Sequence, residues 1–253
     1  MFTLTQVPVP DLAGRTVLVT GAGRGIGAVL VRMLVDHGAT VFAGYHGAAE
    51  MGALGGALTF ELDVTDAASV ARAVGQVTAF GGRLDVLVNN AGILTPIAPL
   101  ADLTADDLRP AFEVNVLGLH RITNASLPLL HASRGAVLNA GTGAATTAME
   151  GWTAYCTSKA AMRMLTQMQA LELAPVGIQA WFCGIPPTDT MMQDQVRASG
   201  LNPVSQIPQG DLVRPEVSAS VLAWLCSAQA RSVTDVMLDI REPRFRAMMA
   251  LRA

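Results

Sequence analysis

A short apolar run, Val17-Leu18-Val19, stops at the cluster Thr20-Gly21-Ala22-Gly23-Arg24-Gly25-Ile26-Gly27, and a helical pattern begins directly behind it. The run is β-branched or aliphatic and reads as a buried strand. Val29, Leu30, Met33 and Leu34 then recur at helical spacing, and His37-Gly38 supplies a C-terminal stop. A strand, a glycine turn and a helix in that order gather backbone N–H groups and the positive helix end at one spot, which suits a phosphate. Glycine is required there because a Cβ would block close approach of the phosphate or demand unfavourable backbone angles. A tight strand–helix turn that binds nothing would look similar. The spacing fits Gly-x-Gly-x-x-Gly only loosely, as Gly23, Gly25 and Ala28.

The rest of the chain repeats the alternation. Residues 2–10 read as an extended lead-in punctuated by Pro8 and Pro10, and 11–15 as a turn into the first strand. Further strands are expected at 40–43, 58–62, 84–88, 136–138, 178–183 and 236–240. Helices are expected at 48–54, from Asp66 as N-cap to about 80, from about 106 towards 130 with Thr104 as N-cap, at 154–173 and at 215–226. Pro110 falls in the first turns of its helix, where proline is tolerated, whereas Pro128 should bend or shorten the end. Residues 186–213 contain Pro186, Pro187, Pro203 and Pro208 and read as a loop-rich insertion that could close over a substrate. Strands alternating with helices call for a mostly parallel sheet covered on both faces. The expected fold is therefore a Rossmann-like doubly wound α/β sheet, one domain over residues 1–253.

Composition narrows the class. The formal net charge is -3, from 17 basic and 20 acidic residues, and no basic stripe appears, which argues against nucleic acid as a partner. Hydrophobic residues make up 51% and charged ones 15%, consistent with buried strands and a subunit interface. No apolar run has the length of a membrane span, and residues 1–10 carry no signal-peptide pattern, so a cytoplasmic protein with no membrane partner is expected. Cys156, Cys183 and Cys226 lack metal-ligand spacing and read as buried, reduced thiols; no metal site is expected.

Tyr155 and Lys159 stand four residues apart on one helix and share a face. A nearby ammonium favours tyrosinate, so the tyrosine pKa is expected to fall from ~10 towards neutrality. Such a tyrosine can pass a proton to or from a carbonyl or alcohol oxygen. Taken alone, the pair would equally suit a solvated helix face.

Together these segments resemble the short-chain dehydrogenase/reductase family along nearly the whole chain. The turn Thr20-Gly21…Gly25…Gly27 is similar to its Thr-Gly-x-x-x-Gly-x-Gly; Tyr155-Cys156-Thr157-Ser158-Lys159 matches its Tyr-x-x-x-Lys. Asn89-Asn90-Ala91-Gly92 matches the segment bordering the cofactor, Asp63-Val64 the adenine-receiving pair, and Asn115 the catalytic asparagine. Leu171-Glu172-Leu173-Ala174 and Arg214-Pro215-Glu216-Val217 match later family segments. The resemblance implies Tyr155 as general acid/base, Lys159 tuning it and holding the nicotinamide ribose, and Asn115 supporting a water relay. Thr142 stands where the family has a serine that polarises the substrate oxygen, and keeps the hydroxyl. Thr190 matches the residue that contacts the carboxamide. Departures also occur. The usual Asn-x-x-x-Pro-Gly is replaced by Trp181 and Ile185-Pro186, and the Asp-Gly-Gly near the end by Asp239-Ile240-Arg241.

The residue at the end of the second strand selects the ribose. That position is Tyr45, between Gly44 and His46, and none is acidic; Arg24 in the turn can pair with a 2′-phosphate. NADP(H) is therefore expected over NAD(H), with Gly21, Arg24, Gly25, Ile26, Gly27, Tyr45, His46, Asp63, Val64, Asn90, Ala91, Gly92, Tyr155, Lys159 and Thr190 around it. The expected reaction interconverts a small-molecule carbonyl and a secondary alcohol. A nucleotide-binding module with little catalysis, acting as sensor or structural partner, is the alternative. Met149, Trp152, Trp181, Met191 and Met192 are candidates for the pocket lining, with core packing as the competing account. A homo-oligomer, dimer or tetramer, is expected through the two long helices, where Ala160, Ala161, Met164, Leu165 and Met168 offer apolar surface.

Overall fold

The computed structural model describes residues 3–47 and 54–250. Seven parallel strands form one sheet in the order β3-β2-β1-β4-β5-β6-β7. They are β1 (Thr16–Thr20), β2 (Thr40–Tyr45), β3 (Leu58–Glu61), β4 (Val86–Asn89), β5 (Ala136–Thr142), β6 (Gln179–Ile185) and β7 (Met237–Asp239). The helices are α1 (Gly25–Asp36), α2 (Ala67–Gly81), α3 (Ala105–Phe112), α4 (Leu119–Ser133), α5 (Thr153–Leu173), α6 (Met191–Ser199), α7 (Pro215–Leu225) and α8 (Pro243–Ala250). This is the expected Rossmann-like doubly wound fold.

Alternate residues of each strand feed two cores. Val17 and Val19, Val86 and Val88 and Leu138 join Leu30, Leu34, Leu222 and Trp224 on one face. Leu18, Leu87 and Val137 join Val70, Val77, Ile122 and Leu130 on the other. Strands buried on both sides must be apolar throughout, which explains the high hydrophobic content. At the N-terminal edge Asp85, 1% exposed, receives Arg15 at 3.1 Å and Arg83 at 2.7 Å. The strand order reverses between β1 and β4, which opens a crevice at the C-terminal strand ends.

Several boundaries differ from expectation. The expected long helix is three consecutive segments: α3, a π-helical turn over Glu113–Gly118, and α4. Thr104 caps α3 in a capping box with Asp107, as its sequence suggests. Helix α4 continues past Pro128 to Ser133, so the proline does not end it. Leu129 and Leu130, both buried, bind that last turn to the core. Strands β5 and β6 extend to Thr142 and Ile185, carrying polar and glycine positions that simple apolar patterning leaves out. The 186–213 segment is not merely loop, because α6 lies within it. Residues 48–53 of the short helix expected at 48–54 lie outside the described residues.

Candidate active site

The C-terminal ends of β1, β4, β5 and β6 bound a cleft of about 350 Å³. Ile26, Asn90, Gly92, Thr142, Tyr155, Lys159 and Thr190 line it, so residues far apart in the chain meet here. Thr142 is the last residue of β5, and α5 begins shortly after at Thr153. That geometry places Tyr155, in the first turn of the helix, beside the strand end. The Thr142 side chain is hydrogen-bonded to the Tyr155 hydroxyl. Trp152 packs edge-on against the Tyr155 ring, with centroids 5.6 Å apart.

Lys159 lies one turn further along α5, 5.9 Å from the Tyr155 ring centroid. Its Nζ donates to the Ala140 carbonyl at 3.1 Å and contacts Met162 Sδ at 3.4 Å. Burial pulls the Lys159 pKa down to about 8. Burial also pushes Tyr155 up to about 12, against the lowering effect of the Thr142 hydrogen bond. The expected fall of the tyrosine pKa is thus reversed in the protein alone. Desolvation of the phenolate is the largest influence, and the cation meant to offset it is itself desolvated.

Asn115 is buried in the π-helical turn and does not line the cleft. Its carboxamide is fully engaged: Oδ1 accepts from Ile93 N–H, and Nδ2 donates to the Ile93 carbonyl and Ser158 Oγ. The asparagine therefore fixes the segment after β4 to α5. Such a π-turn is a common device at functional sites. A Cβ on Gly92 would lie 3.1 Å from Asn115 Oδ1 and 3.6 Å from Lys159 Nζ, so glycine leaves that space open.

The glycine turn is held from β4. Asn90 Nδ2 donates to the Thr20 and Gly21 carbonyls at 3.1 and 2.9 Å. Thr20 Oγ1 accepts from the Asn90 and Ala91 N–H groups. Gly21 has φ +63°, and a Cβ there would lie 2.7 Å from Ala91 Cα. A Cβ on Gly27 would come 2.2 Å from the Gly21 carbonyl oxygen. Arg24 is the N-cap of α1 but makes no side-chain cap, and the first turn holds no acidic residue. The leading N–H groups are thereby left for an anion.

Arg24, Tyr45, His46, Asp63 and Val64 do not line the cleft and lie towards the C-terminal ends of β1, β2 and β3. Arg24 and His46 are exposed, and Tyr45 packs partly on the core. Burial alone would raise the Asp63 pKa, but two hydrogen bonds from Thr65 and the charges of His46 and Arg121 hold it below the ordinary carboxylate value.

Met149, Trp152 and Met192 line the cleft; Trp181 and Met191 do not. Trp181 faces the first core, its indole donating to the Val233 carbonyl at 3.4 Å, because strand alternation sets its face. Met191 is 60% exposed at the start of α6. Cys183 and Cys226 are buried and Cys156 half-buried rather than fully enclosed; all three are free. Arg241 lines the cleft, although in the sequence it stands out only as a departure from glycine. A buried network missed by motif reading supports the floor. Asn89 Nδ2 donates to Asn139 Oδ1, and Asn139 Nδ2 to Thr166 and Gln169, joining β4, β5 and α5. Polar side chains inside otherwise apolar strands are its only sequence signal.

A parallel seven-stranded sheet with a tyrosine, a lysine and a strand-end hydroxyl at its crevice defines a nucleotide-dependent oxidoreductase. The short chain dehydrogenase family model matches residues 15–200. The chain belongs to the short-chain dehydrogenase/reductase family and is an enzyme of that family. It is 34% identical over 243 residues to 2,3-dihydro-2,3-dihydroxybenzoate dehydrogenase of Escherichia coli, covering 90% of this chain and 97% of the relative. It is 32% identical over 245 residues to D-threitol dehydrogenase of Mycolicibacterium smegmatis, covering 90% and 92%. Among solved structures, the 3-ketoacyl-(acyl-carrier-protein) reductase of Brucella melitensis complexed with NADH superposes with TM-score 0.81 at 26% identity, covering 92% and 99%. These relatives do not favour the non-catalytic alternative. Among the described residues no cluster could hold a metal ion, and no helix is long and apolar enough to cross a membrane.

Proposed function

We propose that this enzyme interconverts a small-molecule carbonyl and a secondary alcohol, with NADP(H) as cofactor and Tyr155 as the general acid/base. The observation that carries the reading is the meeting of Tyr155, its hydrogen-bonded Thr142 and Lys159 in one cleft beside the glycine turn. The nicotinamide, when bound, supplies or accepts the hydride. Gly21, Gly25, Ile26 and Gly27 would hold the pyrophosphate, Tyr45 and His46 the ribose region, Asp63 and Val64 the adenine. Asn90, Ala91, Gly92 and Thr190 would hold the nicotinamide half. Arg24 would pair with the 2′-phosphate; it is exposed, and among the described residues no acceptor engages it.

Tyr155 is neutral near pH 7, since burial raises its pKa to about 12. In that state it donates its proton to a carbonyl oxygen, which suits reduction. Thr142 orients the phenol and offers its hydroxyl to the same oxygen. Lys159, charged below about pH 8, stabilises the negative charge that Tyr155 acquires. Asn115 positions α5 against the segment after β4.

Assembly with a second copy is part of this reading. Met164 and Leu171 on α5 and Leu117 just before α4 are 57%, 71% and 49% exposed, apolar side chains that a second copy would remove from water. Light scattering would give a dimer or tetramer; a clean monomer would refute it. A cytoplasmic location fits NADP(H) use and free thiols. The first experiment is parallel titration with NADPH and NADH. NADPH should bind more tightly and Arg24→Ala should erase the difference; an NADH preference would overturn the cofactor assignment. Tyr155→Phe should bind NADPH normally yet fail to turn over a panel of cyclic diols, polyols and ketones. Retained turnover would remove Tyr155 from its role.

A further inference from the structure

Two charged side chains line the cleft, Lys159 and Arg241, and among the described residues no Asp, Glu or His does. Lys159 is engaged by Ala140 and Met162 beside Tyr155. Arg241 has no part in the proton chemistry. It follows β7, whose register sets Asp239 against Gly184. The Ile240 N–H donates to the Gly184 carbonyl at 3.1 Å, which fixes the segment at the sheet edge that also carries Ile185.

Asp239 holds this arginine firmly. Its Oδ1 accepts from Arg241 Nε at 2.7 Å and from the Arg241 backbone N–H at 2.8 Å, and its Oδ2 accepts from Nη2 at 2.7 Å. A guanidinium carries five N–H donors. Asp239 uses two of them along one edge. Among the described residues no acceptor engages the edge formed by Nη1 and the remaining Nη2 hydrogen, and two parallel donors are the geometry that receives an oxyanion bidentately. Neither Asp239 nor Glu242 lines the cleft, and Glu242 accepts from the Asp239 backbone N–H instead. The rest of the lining mixes apolar side chains, among them Leu94, Met149, Trp152 and Val196, with the uncharged polar Thr147, Thr188 and Gln193.

We infer that Arg241 recognises a carboxylate on the substrate, so that the enzyme acts on carbonyl or hydroxyl compounds bearing an acid group. The inference rests on the oxidoreductase reading of this cleft and names its substrate class. The phosphates of the cofactor share the oxyanion chemistry, and the experiment must separate the two sources.

Benzoate, with benzamide as its neutral counterpart, is titrated calorimetrically into the NADPH-loaded enzyme and its Arg241→Gln and Arg241→Lys variants. NADPH affinity is measured on each. Benzoate should bind at least about tenfold more tightly than benzamide. Arg241→Gln should erase that difference and leave NADPH and benzamide affinity unchanged, and Arg241→Lys should restore part of it. Absence of benzoate binding, equal binding of benzoate and benzamide, or an Arg241→Gln variant with undiminished benzoate affinity would overturn the inference. Loss of NADPH affinity in Arg241→Gln would do so as well, by assigning the fork to the cofactor. The catalytic reading fails on a different result, turnover by Tyr155→Phe.

Discussion

Replacing Lys159 by methionine should abolish activity and at the same time stabilise the folded protein at neutral pH. Lys159 is 5% exposed, and burial lowers its pKa from 10.5 to about 8. Each pKa unit corresponds to ~1.4 kcal/mol, so keeping this side chain charged inside the fold costs about 3 kcal/mol. The sign follows from proton binding. The unfolded chain holds the lysine proton up to about pH 10.5 and the folded protein only to about 8. The penalty is therefore complete below pH 8, shrinks between those values and vanishes above them. Methionine fills a similar volume without charge. It forfeits the hydrogen bond to the Ala140 carbonyl, a loss of about 1 kcal/mol. The variant should gain about 2 kcal/mol at pH 7, a rise in Tm of roughly 4–8 °C for a chain of this size. Urea unfolding of both proteins at equal concentration, at pH 7 and pH 10, measures the difference. It should be positive at pH 7 and fall towards zero or below at pH 10. A variant that is less stable at pH 7, or a difference independent of pH, would refute the claim that Lys159 is held charged against its desolvation.

Thr142→Val, which removes the hydroxyl at constant shape, should lower kcat by about a hundredfold, while Thr142→Ser stays near wild type; steady-state rates with an accepted carbonyl substrate test both. For carbonyl reduction, kcat/KM should fall above about pH 8 as Lys159 loses its proton, while Tyr155 stays protonated throughout that range; a flat profile to pH 10 would count against the lysine. Gly27→Ala should lose NADPH binding, because the new Cβ would sit 2.2 Å from the Gly21 carbonyl oxygen and 2.6 Å from Asn90 Nδ2. Fluorescence titration against the wild type reads that loss.

Local order made much of the fold legible. Val17-Leu18-Val19 before glycines is a buried strand in any context that offers a core, and Asp66 and Thr104 cap the helices that follow them. The tyrosine and lysine face could be read from spacing, because one helical turn brings them together whatever surrounds them. Boundaries were less legible where the chain departs from apolar patterning. Strands β5 and β6 run on through Gly141-Thr142 and Gly184-Ile185 because neighbouring strands supply hydrogen bonds that no local propensity reports. Trp181 belongs to the core and Met191 to the surface, since strand parity and helix rotation relative to the sheet decide their directions.

The sequence by itself determined the parallel α/β architecture, the glycine turn and the helical face that Tyr155 and Lys159 share, because these depend on residue order and short-range spacing. Only the tertiary structure decided the electrostatic state of that pair and the company it keeps. Tyr155 is raised and Lys159 lowered by a desolvation that depends on elements far along the chain. Arg241 reaches the same cleft because β7 pairs with β6, a contact between segments that are remote in sequence.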